Sequence, residues 1–132
     1  MNAPSVDIKD MLLAETDLGL FFAENLFISK EPTNPNEVVT IYDTSQAPPM
    51  LTLDKVSDYY FEACQVRVRS TNYEEGYAFI QDIRDALHGR AGETWNGTLY
   101  TLIRCTSGPN CIGWDDNNRV LFTVNFEMQR RT

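Results

Sequence analysis

An α+β fold, one mostly antiparallel sheet flanked by two helices, follows from three features of the sequence. The run from Tyr59 to Ser70 alternates apolar and polar side chains with period two. The stretch behind it repeats its apolar residues at helical spacing up to Gly89. The last third returns to alternation, most clearly in Val120, Phe122, Val124, Phe126 and Met128. At 132 residues the chain suits a single domain over 1–132, large enough to bury roughly two-thirds of the surface of its unfolded form. Hydrophobic residues at 42% and charged residues at 23% match an ordinary globular domain, and no internal repeat, heptad series or low-complexity tract interrupts it.

The first helix is predicted from Ser5 to Asp17, with Ile8, Met11, Leu12 and Glu15 on one mostly apolar face and Gly19 as the stop. Two β-rich runs follow, Asn25 to Lys30 and Glu37 to Tyr42. The prolines and asparagines of residues 31–36 separate them, and the pair reads as an N-terminal hairpin. From Asp43 to Ser57, around Pro48 and Pro49, no period is visible; this is a long loop or arm of the kind that carries contacts. In the strand Tyr59–Ser70, Cys64, Val66 and Val68 share one face, and Gln65, Arg67 and Arg69 the other.

Thr71 and Glu74 have the spacing of a capping box, and Tyr73, Tyr77, Ile80, Arg84 and Leu87 recur at helical spacing, with both tyrosines expected in the core. After a loop over Ala91–Gly97, strands are predicted at Thr98–Cys105 and Arg119–Arg130, with Asp115 to Asn118 as the turn before the last.

The net charge of −8 argues against a protein that wraps a duplex from outside, because such binders neutralise phosphates with clustered cations. The charge is also divided. Residues 1–62 hold eleven acidic side chains against three lysines, and residues 63–132 hold eight against eight arginines. That division predicts charge pairing between the halves of neighbouring copies, with Arg67, Arg69 and Arg130 as the cations and Arg131 beside them. Three cysteines, an odd number without zinc-ligand spacing, fit a reduced intracellular setting. The first ten residues carry no apolar signal core, and no run of eighteen apolar residues occurs, so neither export by a secretory signal nor membrane spanning is expected.

A search for chemistry returns little. His88, the one histidine, falls at a helix C-terminus, where it suits the helix dipole better than catalysis. The acidic pairs Glu74-Glu75, Asp82 with Asp85, and Asp115-Asp116 read as dipole compensation, a solvated face and a turn. The turn lacks the glycine and distal glutamate of a calcium loop. No catalytic, cofactor-binding or metal-binding residue is predicted, and the protein is expected not to be an enzyme. The residues expected at subunit or partner contacts are Pro48, Pro49 and Met50 in the arm, with Arg67, Arg69, Arg130 and Arg131.

The stretch Cys64-Gln-Val-Arg-Val-Arg-Ser70, then Asn72-Tyr-Glu-Glu-Gly-Tyr77 and Asp85-Ala-Leu-His-Gly89, resembles the central strand and helix of siphophage tail terminator proteins. Tyr100, Pro109, Ile112-Gly113, Asp115-Asp-Asn-Asn-Arg119 and Val124-Asn-Phe-Glu-Met-Gln-Arg130 continue the similarity, which covers residues 58–131. The sequence departs from the family's pattern at Gly76, where alanine is usual, and at Asn118, where a turn glycine is common.

The resemblance implies a structural virion protein that forms a ring, typically a hexamer. Such a ring caps the head-proximal end of the tail tube, stops tube polymerisation and presents the joining surface for head-completion proteins. Its implied partners are further copies of itself, the major tail tube protein, a connector or stopper protein and the tape measure protein. Genome DNA passes through the bore without sequence-specific binding, and an acidic lumen suits that passage. The implied location is the head–tail junction of the virion, with assembly in the host cytoplasm. The competing readings are another neck component such as a head–tail stopper and, from a different class, a small soluble ligand-binding domain.

Overall fold

The computed structural model describes residues 1–44, 47–51, 53 and 59–131. Helix α1 (Pro4–Ala14) opens the fold with proline in its first turn, where the missing N–H would lack a partner anyway. Its N-cap Ala3 has no side chain able to bond the free N–H groups. Asp43 supplies that function from across the domain, accepting from Ser5 N at 2.9 Å and Ser5 Oγ at 2.7 Å. A short 3₁₀ turn, Thr16–Leu18, ends at Gly19 in the left-handed conformation.

Six strands form one sheet in the order β1-β2-β3-β6-β5-β4. They are β1 (Leu26–Ile28), β2 (Val38–Asp43), β3 (Tyr60–Ser70), β4 (Glu93–Trp95), β5 (Thr98–Trp114) and β6 (Val120–Arg131). All neighbours pair antiparallel except β1 and β2, which are parallel, with Leu26 opposite Val39 and Ile28 opposite Ile41. The predicted N-terminal hairpin is therefore corrected to a crossover. Its connection is drawn back by two buried arginines: Arg69 donates to the carbonyls of Thr33, Pro35 and Asn36, and Arg119 to that of Thr33. A loop held by its carbonyls has its backbone acceptors satisfied without a strand partner, and this one delivers β2 in the same direction as β1.

Helices α1 and α2 (Tyr73–Leu87) pack on one face of the sheet. The core between them is built by Ile8, Met11 and Leu12 of α1, Ile80, Ile83 and Leu87 of α2, and the inward residues of β2, β3 and β6. Strand β6 keeps its alternation apart from a buried Thr123, whereas β5 does not. Tyr100 and Ile103 are both fully buried because a bulge between Tyr100 and Leu102 inserts one extra residue and resets the phase. Three further register shifts carry β5 through Gly108-Pro109 to Trp114, well past the expected end at Cys105. At Gly108, φ is +98° and a methyl group would stand 2.7 Å from the carbonyl oxygen of Thr123, so only glycine fits. The expected loop over Ala91–Gly97 contains β4, closed onto β5 by the two-residue turn Asn96-Gly97 with positive φ at both positions.

Helix α2 is capped by Asn72, whose side chain accepts from Glu75 N at 2.9 Å, and not by Thr71. Thr71 instead donates from its N–H and its hydroxyl to Glu37 Oε1, at 3.0 and 2.6 Å, tying the start of β2 to the start of the helix. Tyr73 and Tyr77, expected in the core, lie at the surface with their rings edge-on to the buried Phe122. Gly76 lets the helix approach that closely: a methyl there would stand 2.9 Å from both Phe122 Cε2 and Ser70 Cβ. His88 ends the helix, and its Nδ1 accepts from Cys105 N at 2.8 Å.

The two ends of the chain meet in a buried polar cluster. Arg130 donates to Tyr100 Oη at 3.0 Å and to the carbonyl of Asn2 at 2.8 Å, approaches Asp7 Oδ2 at 3.4 Å and pairs through Nε with Glu62. Tyr100 Oη donates to Asp7 Oδ2, and Asn96 donates to Asp7 Oδ1 at 2.7 Å. Burial, and then the hydrogen bond to Asp7, push the Tyr100 phenol well above its ordinary pKa and keep it a donor.

Three outcomes are expected in denaturant unfolding. Gly76→Ala should lose stability although alanine is the better helix former: overpacking against Ser70 and Phe122 costs about 1–3 kcal/mol against a propensity gain of about 1 kcal/mol. Arg130→Met should cost about 3–5 kcal/mol by leaving Asp7 and Glu62 buried and charged. The triple variant with Asp7→Asn and Glu62→Gln should recover much of that loss, and failure of any recovery would reject the ionic account. Finally, the Thr71 bonds hold the Glu37 carboxyl below its ordinary value of 4.5. The stability this contributes is complete above that pH and is lost as the pH falls through the lowered value, so Thr71→Val should flatten the acid limb of the stability profile.

Candidate docking surface

Beyond Asp43 the chain does not leave the sheet as an independent loop. Thr44 N donates to Ala63 O and Ala47 N to Phe61 O, both at 3.1 Å, while Met50 and Tyr59 exchange two backbone bonds at 2.8 and 3.2 Å. The described part of the arm thus continues the antiparallel ladder along the first residues of β3, whose outer edge β2 leaves unpaired. Pro48 and Pro49 fall between these bonds, where no N–H is called for. The remainder of the predicted arm, residues 45, 46, 52 and 54–57, lies outside the described residues.

The arm carries its apolar side chains outward. Pro48 and Pro49 are exposed, as are Met50 at 55%, Leu51 at 80% and Leu53 at 105% of full exposure. Isolated surface leucines are commonplace, but a charge-free run of this kind makes the arm the candidate contact surface. Its base is firm: Arg131 lies over the Tyr59 ring at 5.6 Å. Beside it opens a concavity of about 600 Å³ lined by Ala47, Phe61, Ala63, Leu102 and Met128, with the Arg104–Glu127 ion pair, 2.9 Å, also in its wall.

The predicted contact residues separate into two groups. Pro48, Pro49, Met50 and Arg131 come together at the arm. Arg67 lies farther along β3, where it pairs with Glu31 at 3.5 Å and stacks over Tyr42 at 5.7 Å while remaining partly exposed. Arg69 and Arg130 are buried, and their charges are matched inside the chain, Arg69 by Glu31 at 3.2 Å and Arg130 by Asp7 and Glu62. Arg90 follows the same rule with Glu15 at 2.6 Å. Within the chain, carboxylates of the first half thus pair with Arg67, Arg69, Arg90 and Arg130 of the second, and of these Arg69 and Arg130 are buried. Sequence reasoning missed Leu51 and Leu53; the signal was the apolar run Met50-Leu-Thr-Leu53 set among prolines with no polar face to balance it.

The remaining chemical groups hold structural positions. Cys64 is fully buried, and burial, followed by the charge of Asp43, raises its thiol far out of the nucleophilic range. Asp115 accepts from Asn117 N and Arg119 N, both at 2.9 Å, and pairs with the Arg119 guanidinium at 2.8 Å, closing the turn that Asn118 completes at φ +59°. Among the described residues no group of three His, Cys, Asp or Glu side chains is placed to hold a metal ion, and no helix is long and apolar enough to cross a membrane.

Comparison with known proteins agrees with this architecture. No curated protein matches the sequence. Among solved structures, a chain from "Virion of native gene transfer agent (GTA) particle" superposes with a TM-score of 0.68 over 98% of this chain and 96% of that one, at 11% identity, a likeness of fold. The family model described as bacteriophage tail terminator protein matches residues 6–132. By that match the chain belongs to the bacteriophage tail terminator family of structural tail proteins.

Proposed function

We propose that the protein closes the head-proximal end of the phage tail tube. Copies associate head to tail into a ring, a hexamer, since a heterologous interface either closes by rotation or grows into an open filament. One face of the ring seats on the last ring of tail tube protein and ends its polymerisation. The other lacks the tube's own docking surface and receives the connector or stopper protein. Genome DNA passes through the bore, and the tape measure protein lies within reach below it. No step is catalytic, and none requires a metal.

The family match carries this reading, and the arm supports it. A segment anchored by backbone bonds at its base and apolar at its exposed end is preorganised for contact, because little conformational freedom remains to be lost on docking. Pro48, Pro49, Met50, Leu51 and Leu53 form the contact surface, with Arg131 at its base and Arg67 farther along the strand. In assembly the arm reaches the neighbouring subunit or the tube.

In a phage lacking this protein, tails should overgrow or fail to join heads, and added purified protein should restore joining. Tails of normal length that join heads without it would reject the assignment. Leu51→Ser with Leu53→Ser should leave stability within about 0.5 kcal/mol, since neither side chain is buried. Deleting residues 45–52 should likewise leave a folded domain. Neither variant should restore joining; full restoration by both would remove the arm from the mechanism.

A further inference from the structure

A second concave surface lies at the opposite end of β3 from the arm. It opens where β2 begins and α2 starts, across the eleven-residue length of the central strand, whose ten rises span about 33 Å. Its volume is about 300 Å³, and its floor is apolar, formed by Leu20, Val39, Val68 and Phe79 with the bare backbone of Gly76 beside them. Two carboxylates stand at its mouth, Glu37 and Glu75. Glu75 lies one helical turn before Phe79, so both side chains look over the same groove.

The polar groups around this groove are accounted for, with one exception. Asn25 uses both ends of its amide, accepting from Phe21 N at 2.7 Å and donating to Gly19 O at 3.1 Å. Arg69, the one cation among the described residues of the lining, turns its guanidinium to Glu31 and the crossover loop. Glu37 Oε1 is fixed by Thr71, and those bonds favour its charged form. The Glu75 carboxylate makes no ion pair or hydrogen bond among the described residues. An apolar slot thus ends at two carboxylates, and among the described residues no cation pairs with either.

We infer that this groove receives a lysine or arginine side chain presented by a protein partner. A basic side chain has the matching form, a four- or three-carbon stem that gains by leaving water and a charged head that stays at the edge. Glu37 and Glu75 attract that head and repel phosphate, which excludes a nucleic-acid backbone as the occupant. Placed at the end of the sheet opposite the arm, the groove gives the protein a second, chemically different contact, selective for charge where the arm is selective for apolar surface. The inference does not depend on the terminator reading and is tested on the purified protein alone.

The probe is n-pentylammonium, which reproduces the lysine side chain together with its Cα, with n-pentanol as its uncharged isostere. In a methyl NMR titration, n-pentylammonium should shift Leu20, Val39 and Val68 saturably, with n-pentanol binding about fivefold more weakly. Glu75→Gln changes an exposed side chain and should leave the fold intact while removing about half of that preference in logarithmic terms. Raising the salt to about 0.5 M should weaken the ammonium and leave the alcohol unchanged. Equal binding of the two probes, shifts confined to other methyls, or no saturable shift would each overturn the proposal.

Discussion

The arrangement of the domain depends on one buried guanidinium. Arg130, next to last in β6, reaches the first turns of the chain at Asn2 and Asp7, the third strand at Glu62 and the fifth at Tyr100. Buried charges are tolerated only when matched, and these match in a single geometry. A slip of β6 by one residue against β3 or β5 would turn Arg130 to the other face and leave Asp7 and Glu62 without a counter-charge. The register Tyr60 opposite Arg130 opposite Tyr100 is therefore fixed electrostatically where the apolar ladder of β6 alone would fix only the face.

The arm inherits this rigidity. It leaves β2 immediately after Asp43, which is itself occupied in closing the N-terminus of α1, and it runs back along the residues of β3 that the Arg130 cluster holds in place. At the other end of the sheet, Arg69 and Arg119 play a comparable part by gripping the crossover loop through its carbonyls. Arginines thus secure both ends of a sheet whose middle is held by side-chain packing, and each uses acceptors contributed by the first half of the chain. The division of charge along the sequence is a property of the fold before it is one of any assembly.

What could be read from the sequence divides along the same physical line. Period-two alternation marked β3 and β6, and helical spacing marked α1 and α2, because those elements bury one face regularly. The signal failed where local pattern and tertiary demand part company. The crossover between β1 and β2 resembles a hairpin in its turn residues, and only the distant Arg69 and Arg119 decide otherwise. The bulges of β5 scramble its alternation and hide its second half behind Gly108 and Pro109. Tyr73 and Tyr77 sit on the apolar spacing of α2, but Gly76 brings the helix so close to Phe122 that the rings are left outside. For the docking surface, the prolines of the arm were legible from composition. The inward fate of Arg69 and Arg130 was not, since alternation gives the face a side chain takes and says nothing of what covers it.

The irregularity of β5 has a consequence for how copies of this chain meet. Strand β4 pairs with residues Thr98 to Tyr100, and the loop at Gly89 and Arg90 bonds Ile103, so among the described residues the outer border of β5 from Thr106 to Trp114 has no strand beside it. A straight strand so exposed would recruit its like and nucleate open-ended sheets. Here the displaced registers, the close-fitting Gly108 and the N–H missing at Pro109 break the even spacing of donors and acceptors that a foreign strand would need. The fold thereby denies a template to indiscriminate stacking, and leaves association to side chains that can choose their partner.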